Sequence, residues 1–295
     1  MDTAFLANLL LVVDSGSMAE AARRIGVTPA AIAQQVQALE RELGVSLLVR
    51  AGRTVIPTVA GRRVIEKARA LVRDAADLKA VALTDEPSGE LRIGTITTAL
   101  LSLLPDALAG FSRAFPQAQV LIRAGTSMEL YETLQRGELD VAICLHPPFA
   151  LPKAYDWHLL REEPIVVLAP MALADVDPHT LLAREPFIRY DRSLGGGKQA
   201  DQYLRAAKIV PHELFELNSL MAIAMMVDRG LGVSLVPDIV SPLTAGLDIA
   251  RLPLPAPVER RRFGLLWHRA SPRARLIKGL MACAEAVLAR EVRQP

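Results

Sequence analysis

Side chains that commonly carry chemistry are scattered in this sequence. His146, His158, His179, His212 and His268 share no metal-ligand spacing, and no Gly-x-Ser-x-Gly elbow presents a serine nucleophile. Gly195-Gly196-Gly197-Lys198 opens a helical stretch that could receive a carboxylate or phosphate. It lacks the Walker lysine-serine and the Rossmann spacing, and a surface loop is the plainer reading. Cys144 and Cys283 are too few for a disulfide framework, and nothing basic or paired marks either as an activated thiol. The expectation is a binding protein, not an enzyme, with no catalytic residue, metal or cofactor.

Residues suited to recognition fall into two groups. In the first, Ala30, Ala33, Gln34 and Gln37 lie off the apolar stripe Ile32, Val36, Leu39, Leu43 of one helical segment. Glutamine can bond an adenine edge bidentately and alanine can meet a thymine methyl, although an ordinary solvated helix would carry the same face. Arg50 and Arg53 follow in a short basic turn, where they could reach phosphates or a narrow minor groove. In the second group, polar residues stand just beyond short apolar runs. Thr97 and Thr98 follow Leu91 to Thr95, Thr126 and Ser127 follow Val120 to Ala124, and His146 follows Val141 to Cys144. Gly196 sits in the glycine run, and Asn218-Ser219 precedes a helical segment from Leu220 to Arg229. Ligands of open α/β sheets bind beyond the carboxyl ends of strands, so each of these eight could bond an effector. Plain helix capping also explains Thr98 and Ser127.

The elements that must hold the first group are legible from local signals. Phe5, Leu6, Leu9, Leu10 and Val13 recur at helical spacing and stop at Asp14-Ser15-Gly16. Ser17 stands as an N-cap with Glu20 as its capping-box partner, Gly26-Val27 makes a tight turn, and Thr28-Pro29 opens the next helix. Paired helices of this kind also occur without DNA. The next segment favours duplex binding: Val45 to Val49 and Thr54 to Ile56 read as strands around Arg50-Ala51-Gly52-Arg53, a basic wing. The candidate DNA surface is therefore Ser17, Thr28, Pro29, Ala30, Ala33, Gln34, Gln37, Arg50, Arg53 and Thr54. Thr58 caps a further helix in which Val64, Ala68, Leu71, Ala75, Leu78 and Ala82 form a heptad seam. The seam predicts pairing with a second chain, with packing on its own domain as the alternative. At 1.5 Å per residue the helix spans about 37 Å.

Composition sets the outer limits. The 295 residues predict two or three packing units, and 51% hydrophobic with only 4% aromatic residues predicts cores of Leu, Val, Ile and Ala. A net charge of +2 means that any DNA surface must be local. Leu9 to Val13 is stopped by Asp14 well short of a membrane span, and the N-terminus lacks the order of a secretion signal, so the expected location is cytoplasmic with no membrane partner. After Asp85-Glu86-Pro87-Ser88-Gly89, strand candidates at residues 91–95, 120–124, 141–144, 165–169, 187–190, 233–236 and 263–268 alternate with helices, the pattern of an α/β sheet.

Gly16-Ser17, Ala21-Ala22, Val27-Thr28, Leu39 to Val45, Leu47-Leu48, Arg50, Arg53, Thr58 and Gly61 together resemble the LysR-type regulators. Leu91-Arg92-Ile93-Gly94, Leu103-Leu104-Pro105, Phe115-Pro116, Gly137 to Ile143 and Gly230 to Val233 with Pro237 resemble the effector domain of that family. The resemblance implies an α/β protein with an all-α N-terminal winged helix-turn-helix over residues 1–58 and a linker and dimerisation helix over 59–86. It implies a two-lobed effector domain over 87–295, like periplasmic binding proteins, with lobe 1 about 87–161 and 267–295 and lobe 2 about 162–266. The implied partners are double-stranded operator DNA, a small-molecule effector with anions among the candidates, and a second chain, further built into a tetramer. RNA polymerase is a further candidate partner. Where the family commonly has Gln, Ser and Arg along the recognition helix, this chain has Pro29, Ala33 and Gln34, which implies an unusual operator. Two other readings stay open: a metabolic enzyme whose N-terminal part only dimerises, and a DNA-binding protein that no longer answers to an effector.

Overall fold

The computed structural model describes residues 1–52, 54–83, 89–238, 242–255 and 258–291. Arg53 and the helix break at residues 84–88 lie outside the described residues, as does the side chain of Ala82. Contacts divide the chain into one unit of Met1–Glu90 with Gln117–Gln119 and Thr133–Leu139, and a second unit of the remainder.

The first unit opens with three helices whose ends are fixed by side chains next to them. Helix α1 (Thr3–Ser15) starts on Asp2, whose carboxylate accepts the Ala4 N–H at 2.7 Å. Helix α2 (Met18–Ile25) starts on Ser17, whose hydroxyl accepts the Glu20 N–H. The Glu20 carboxylate does not return to complete the expected capping box. It pairs with Arg23 at 2.6 Å and Arg24 at 3.1 Å, because two guanidiniums one turn further on compete for it. Gly26 takes φ 70° and closes α2, a conformation open to a residue without Cβ, and Thr28 and Pro29 then start α3 (Pro29–Leu43).

Leu6, Leu9, Val12, Ala21, Ala22, Ile32, Val36 and Leu39 form one buried cluster beneath these helices. Strands β1 (Leu48–Ala51) and β2 (Thr54–Pro57) pair antiparallel, with Arg50 opposite Val55. Arg50 and Ala51 belong to β1, so the wing turn is tighter than the four residues expected. Thr58 then caps the long helix α4 (Val59–Leu83), accepting the Gly61 N–H at 2.9 Å. The seam of α4 has two fates. Ala68 is buried with Ile65 in the helical cluster and Val64 packs against it, whereas Leu71 and Leu78 are 46% and 73% exposed.

The second unit carries a five-stranded, a three-stranded and a two-stranded sheet. Its elements run β3 (Gly89–Thr95), α5 (Thr97–Leu100), α6 (Leu103–Ala114), β4 (Ala118–Ala124), α7 (Ser127–Gln135), β5 (Val141–Leu145) and β6 (Tyr155–Glu163). They continue β7 (Ile165–Pro170), α8 (Pro178–Arg184), β8 (Pro186–Tyr190), α9 (Gly195–Ala206), β9 (His212–Leu217), α10 (Leu220–Asp228), β10 (Ser234–Pro237), β11 (Ile249–Pro253), β12 (Arg261–His268) and α11 (Ala274–Glu291). The first sheet has the order β4-β3-β5-β12-β6, with β3 and β5 parallel and β12 antiparallel to both its neighbours. The second lobe contains β10-β7-β11, with β8 and β9 paired in parallel and joined to it through Phe187 and Val233.

Strand β7 shows why this lobe has helices on both faces. Its odd residues Ile165, Val167 and Ala169 pack with Leu181, Leu182, Ala200 and Leu204, and its even residues Val166 and Leu168 pack with Ile223, Ala224 and Val227. A continuous apolar run is what a strand covered on both sides requires. The return to the first sheet comes at Arg261, earlier than the crossing expected near residue 266, because Arg261 and Arg262 already stand in register with Glu163 and Glu162. Strands β6, β9 and β11 were not expected. Strand β9 is exposed along most of its length and β6 carries Asp156, His158 and Glu162 among its apolar residues, so neither presents a clean apolar run.

Candidate functional site

In the first unit the caps of α2 and α3 bring Thr28, Pro29 and Ala30 to one exposed end of α3, with Gln34 and Gln37 exposed further along the same helix. Ala33 and Ser17 are half-buried. Asn8 holds the neighbouring Gln35 through a 2.6 Å hydrogen bond, which leaves Gln34 and Gln37 as the outward amides of the helix middle. Arg50 and Thr54 are exposed on the wing, where the Thr54 hydroxyl donates to the Ala51 carbonyl at 3.0 Å. Helix and wing are joined by Glu40, which the sequence places only within the Leu39 to Val45 family stretch. Its Oε1 accepts the Leu47 N–H at 2.7 Å and the Leu48 N–H at 3.2 Å, tying the last turns of α3 to the entry of β1.

In the second unit Thr97, Thr98, Thr126, Ser127, His146, Gly196, Asn218 and Ser219 all line one cavity of about 1000 Å³. Each stands at the carboxyl end of a strand or the start of a helix, as the sheet architecture dictates. Several are already engaged. The Thr126 hydroxyl donates to Glu129 at 2.9 Å and the Thr126 N–H does so at 2.8 Å, which holds the Glu129 carboxyl below its ordinary range. Ser127 accepts the Leu145 N–H at 3.1 Å, Ser219 caps α10, and His146 Nδ1 donates to the Pro147 carbonyl at 2.7 Å with its ring edge-on to Trp157.

The cavity also carries basic residues that sequence reading did not place there: Arg251, Arg260, Arg261 and Arg262, beside Lys198. A visible signal existed in the run Arg260-Arg261-Arg262 directly ahead of the last strand. Cys144 is fully buried at the end of β5, and burial pushes its thiol up to about 12, far from a reactive thiolate at neutral pH. Among the described residues no group of three or more His, Cys, Asp or Glu could hold a metal ion, and no helix is long and apolar enough to cross a membrane.

Comparison with known proteins gives this architecture a context. Residues 5–62 match the model of the bacterial regulatory helix-turn-helix protein, lysR family, and residues 84–289 match the LysR substrate binding domain. The chain is 32% identical to the HTH-type transcriptional regulator YnfL of Escherichia coli over 226 residues, covering 74% of this chain and 75% of the relative. Among solved structures it resembles a full-length OxyR variant from Pseudomonas aeruginosa, with a TM-score of 0.67, 27% identity, and coverage of 96% of this chain and 94% of the other. It also shares the fold of full-length CbnR, solved in complex with its target DNA, with a TM-score of 0.63 at 22% identity and coverage of 96% and 100%.

Proposed function

This chain belongs to the LysR family of DNA-binding transcriptional regulators, and from that premise we propose that Thr28, Pro29, Ala30, Ala33, Gln34 and Gln37 meet the major groove of an operator while Ser17, Arg50, Arg53 and Thr54 meet its backbone or minor groove. The protein performs no turnover. An effector enters the cavity of the second unit and shifts the balance between two arrangements of the lobes, which changes how the DNA-binding domains are presented. The observation that carries this reading is the convergence of seven polar residues and Gly196, from five separate segments, on one cavity of about 1000 Å³. Exposed Leu71 and Leu78 on α4 support self-association through that helix, which would present two recognition helices to operator half-sites. The DNA in the CbnR complex supports the same use of the N-terminal domain here.

The test is operator binding by the full chain at graded salt, with and without a metabolite panel. Binding should be sequence-preferring and salt-dependent, and at least one metabolite should change affinity or footprint. Gln34→Ala should relax sequence preference and Arg50→Ala should weaken all sites evenly. Failure to find any sequence-preferring complex sinks the DNA assignment.

A further inference from the structure

Helix α2 carries three charges that answer one another on its outer side. Glu20 Oε2 pairs with Arg23 Nη2 at 2.6 Å, and Glu20 Oε1 pairs with Arg24 Nε at 3.1 Å. The hydrogen bond from Arg24 is the chief cause holding the Glu20 carboxyl below its ordinary range, so it is charged at neutral pH. Each oxygen of one anion thus carries one guanidinium. A phosphodiester offers its two non-bridging oxygens to arginine in the same way. The Arg23 and Arg24 side chains are 78% and 52% exposed, so neither is committed to the core.

The place of these residues matters as much as their chemistry. Every residue from Arg23 to Ala30 is exposed, and the stretch ends in Thr28, Pro29 and Ala30 at the start of the recognition helix. Arg23 and Arg24 are the only arginine or lysine residues ahead of Arg41, so cations for the DNA backbone on the α2 side of that helix come from this pair alone. Glu20 is the one acidic residue between Asp14 and Glu40. Asp14 is taken by Arg69 on α4, and Glu40 by the Leu47 and Leu48 N–H groups, so neither competes for the pair.

We propose that Arg23 and Arg24 are phosphate-binding residues and that Glu20 is a built-in phosphate mimic, holding both guanidiniums in the free protein and yielding them to the DNA backbone on binding. The inference rests on the DNA-binding reading of the N-terminal domain and adds three residues to it. Because phosphates carry no sequence information, the exchange acts on operator and bulk DNA alike. Glu20 thereby sets a ceiling on sequence-independent binding.

The probe is a duplex of mixed sequence and about 30 base pairs, titrated with the full chain by fluorescence anisotropy at graded salt from about 50 to 200 mM. Each phosphate contact adds about 0.9 to the slope of log affinity against log salt. The double variant Arg23→Ala with Arg24→Ala should therefore lower the slope by about 1.8 and weaken binding at low salt. Glu20→Gln should tighten binding several-fold, and the gain should vanish when both arginines are also replaced. Glu66→Gln, the same change of charge at an exposed position of α4, should give a smaller gain. If the double variant does not fold, Arg23→Gln and Arg24→Gln singly carry the test, each at about 0.9. A slope unmoved by the arginine variants overturns the inference while leaving a DNA-binding protein. So does a Glu20→Gln gain that survives their loss or does not exceed that of Glu66→Gln. A wild-type chain that binds the duplex at no salt concentration overturns it together with the DNA assignment.

Discussion

Gly61 faces the carbonyl oxygen of Leu47 so closely that a Cβ on Gly61 would lie 1.9 Å from it. The same oxygen accepts the Thr58 N–H at 2.9 Å, and the Thr58 hydroxyl donates to Ser46 at 2.7 Å, so the start of α4 is laced to the entry of the wing. The obstacle is backbone, which cannot rotate away. Gly61→Ala should cost the N-terminal domain about 3 kcal/mol. Urea unfolding of the variant checks this, and an unchanged midpoint would contradict the close approach.

Glu40 makes a second tie at the same place. Removing its carboxylate leaves the Leu47 and Leu48 N–H groups without their acceptor, which should cost about 1–3 kcal/mol in Glu40→Ala and less in Glu40→Gln, whose amide oxygen can still accept. Operator affinity should fall in the same order, because the wing loses its anchor to the recognition helix. A variant that keeps full stability but loses DNA binding would instead put Glu40 at the DNA surface.

Burial raises both thiols, Cys144 to about 12, so each stays protonated at neutral pH. Iodoacetamide at pH 7.5 should label Cys144 only after unfolding in guanidinium, while the partly exposed Cys283 reacts first in the folded chain. Hydrogen peroxide should leave operator binding unchanged. Rapid alkylation of native Cys144 would contradict its place in the core.

On the second lobe, hydrogen bonding from Arg189, burial opposing, holds the Glu213 carboxyl below its ordinary value of 4.5. A carboxyl lowered by folding contributes stability that is present above its unfolded value and is lost as pH falls through its folded value. Wild type should therefore lose stability more steeply below pH 4.5 than Glu213→Gln, while at pH 7 the variant should be weaker by no more than about 1 kcal/mol, since solvent screens a third-exposed group. Thermal melts from pH 3 to 7 give the comparison, and parallel curves would rule out this source of acid sensitivity.

How much was legible in the sequence depends on how far apart the cooperating residues lie. Ser17, Gly26, Thr28 and Pro29 act on backbone within three residues of themselves, and the helix-turn-helix they define is the one observed. The seven polar residues of the cavity, with Gly196, follow from a rule about strand ends and helix starts and needed only those elements to be located. Glu40 and Arg261 escaped for the opposite reason. A charged residue in a polar run reads as solvated until its partner is known, and Glu163 lies 98 positions from Arg261. Strand β12 begins at Arg261 and not at the expected Phe263, because pairing with β6 takes in Arg261 and Arg262 and buries Arg261.

The register of Glu163 with Arg261 has a mechanical consequence. It puts the two strands through which the chain passes between the lobes side by side, with a buried ion pair spanning the seam, so leaving one lobe and re-entering it happen at a single point of attachment.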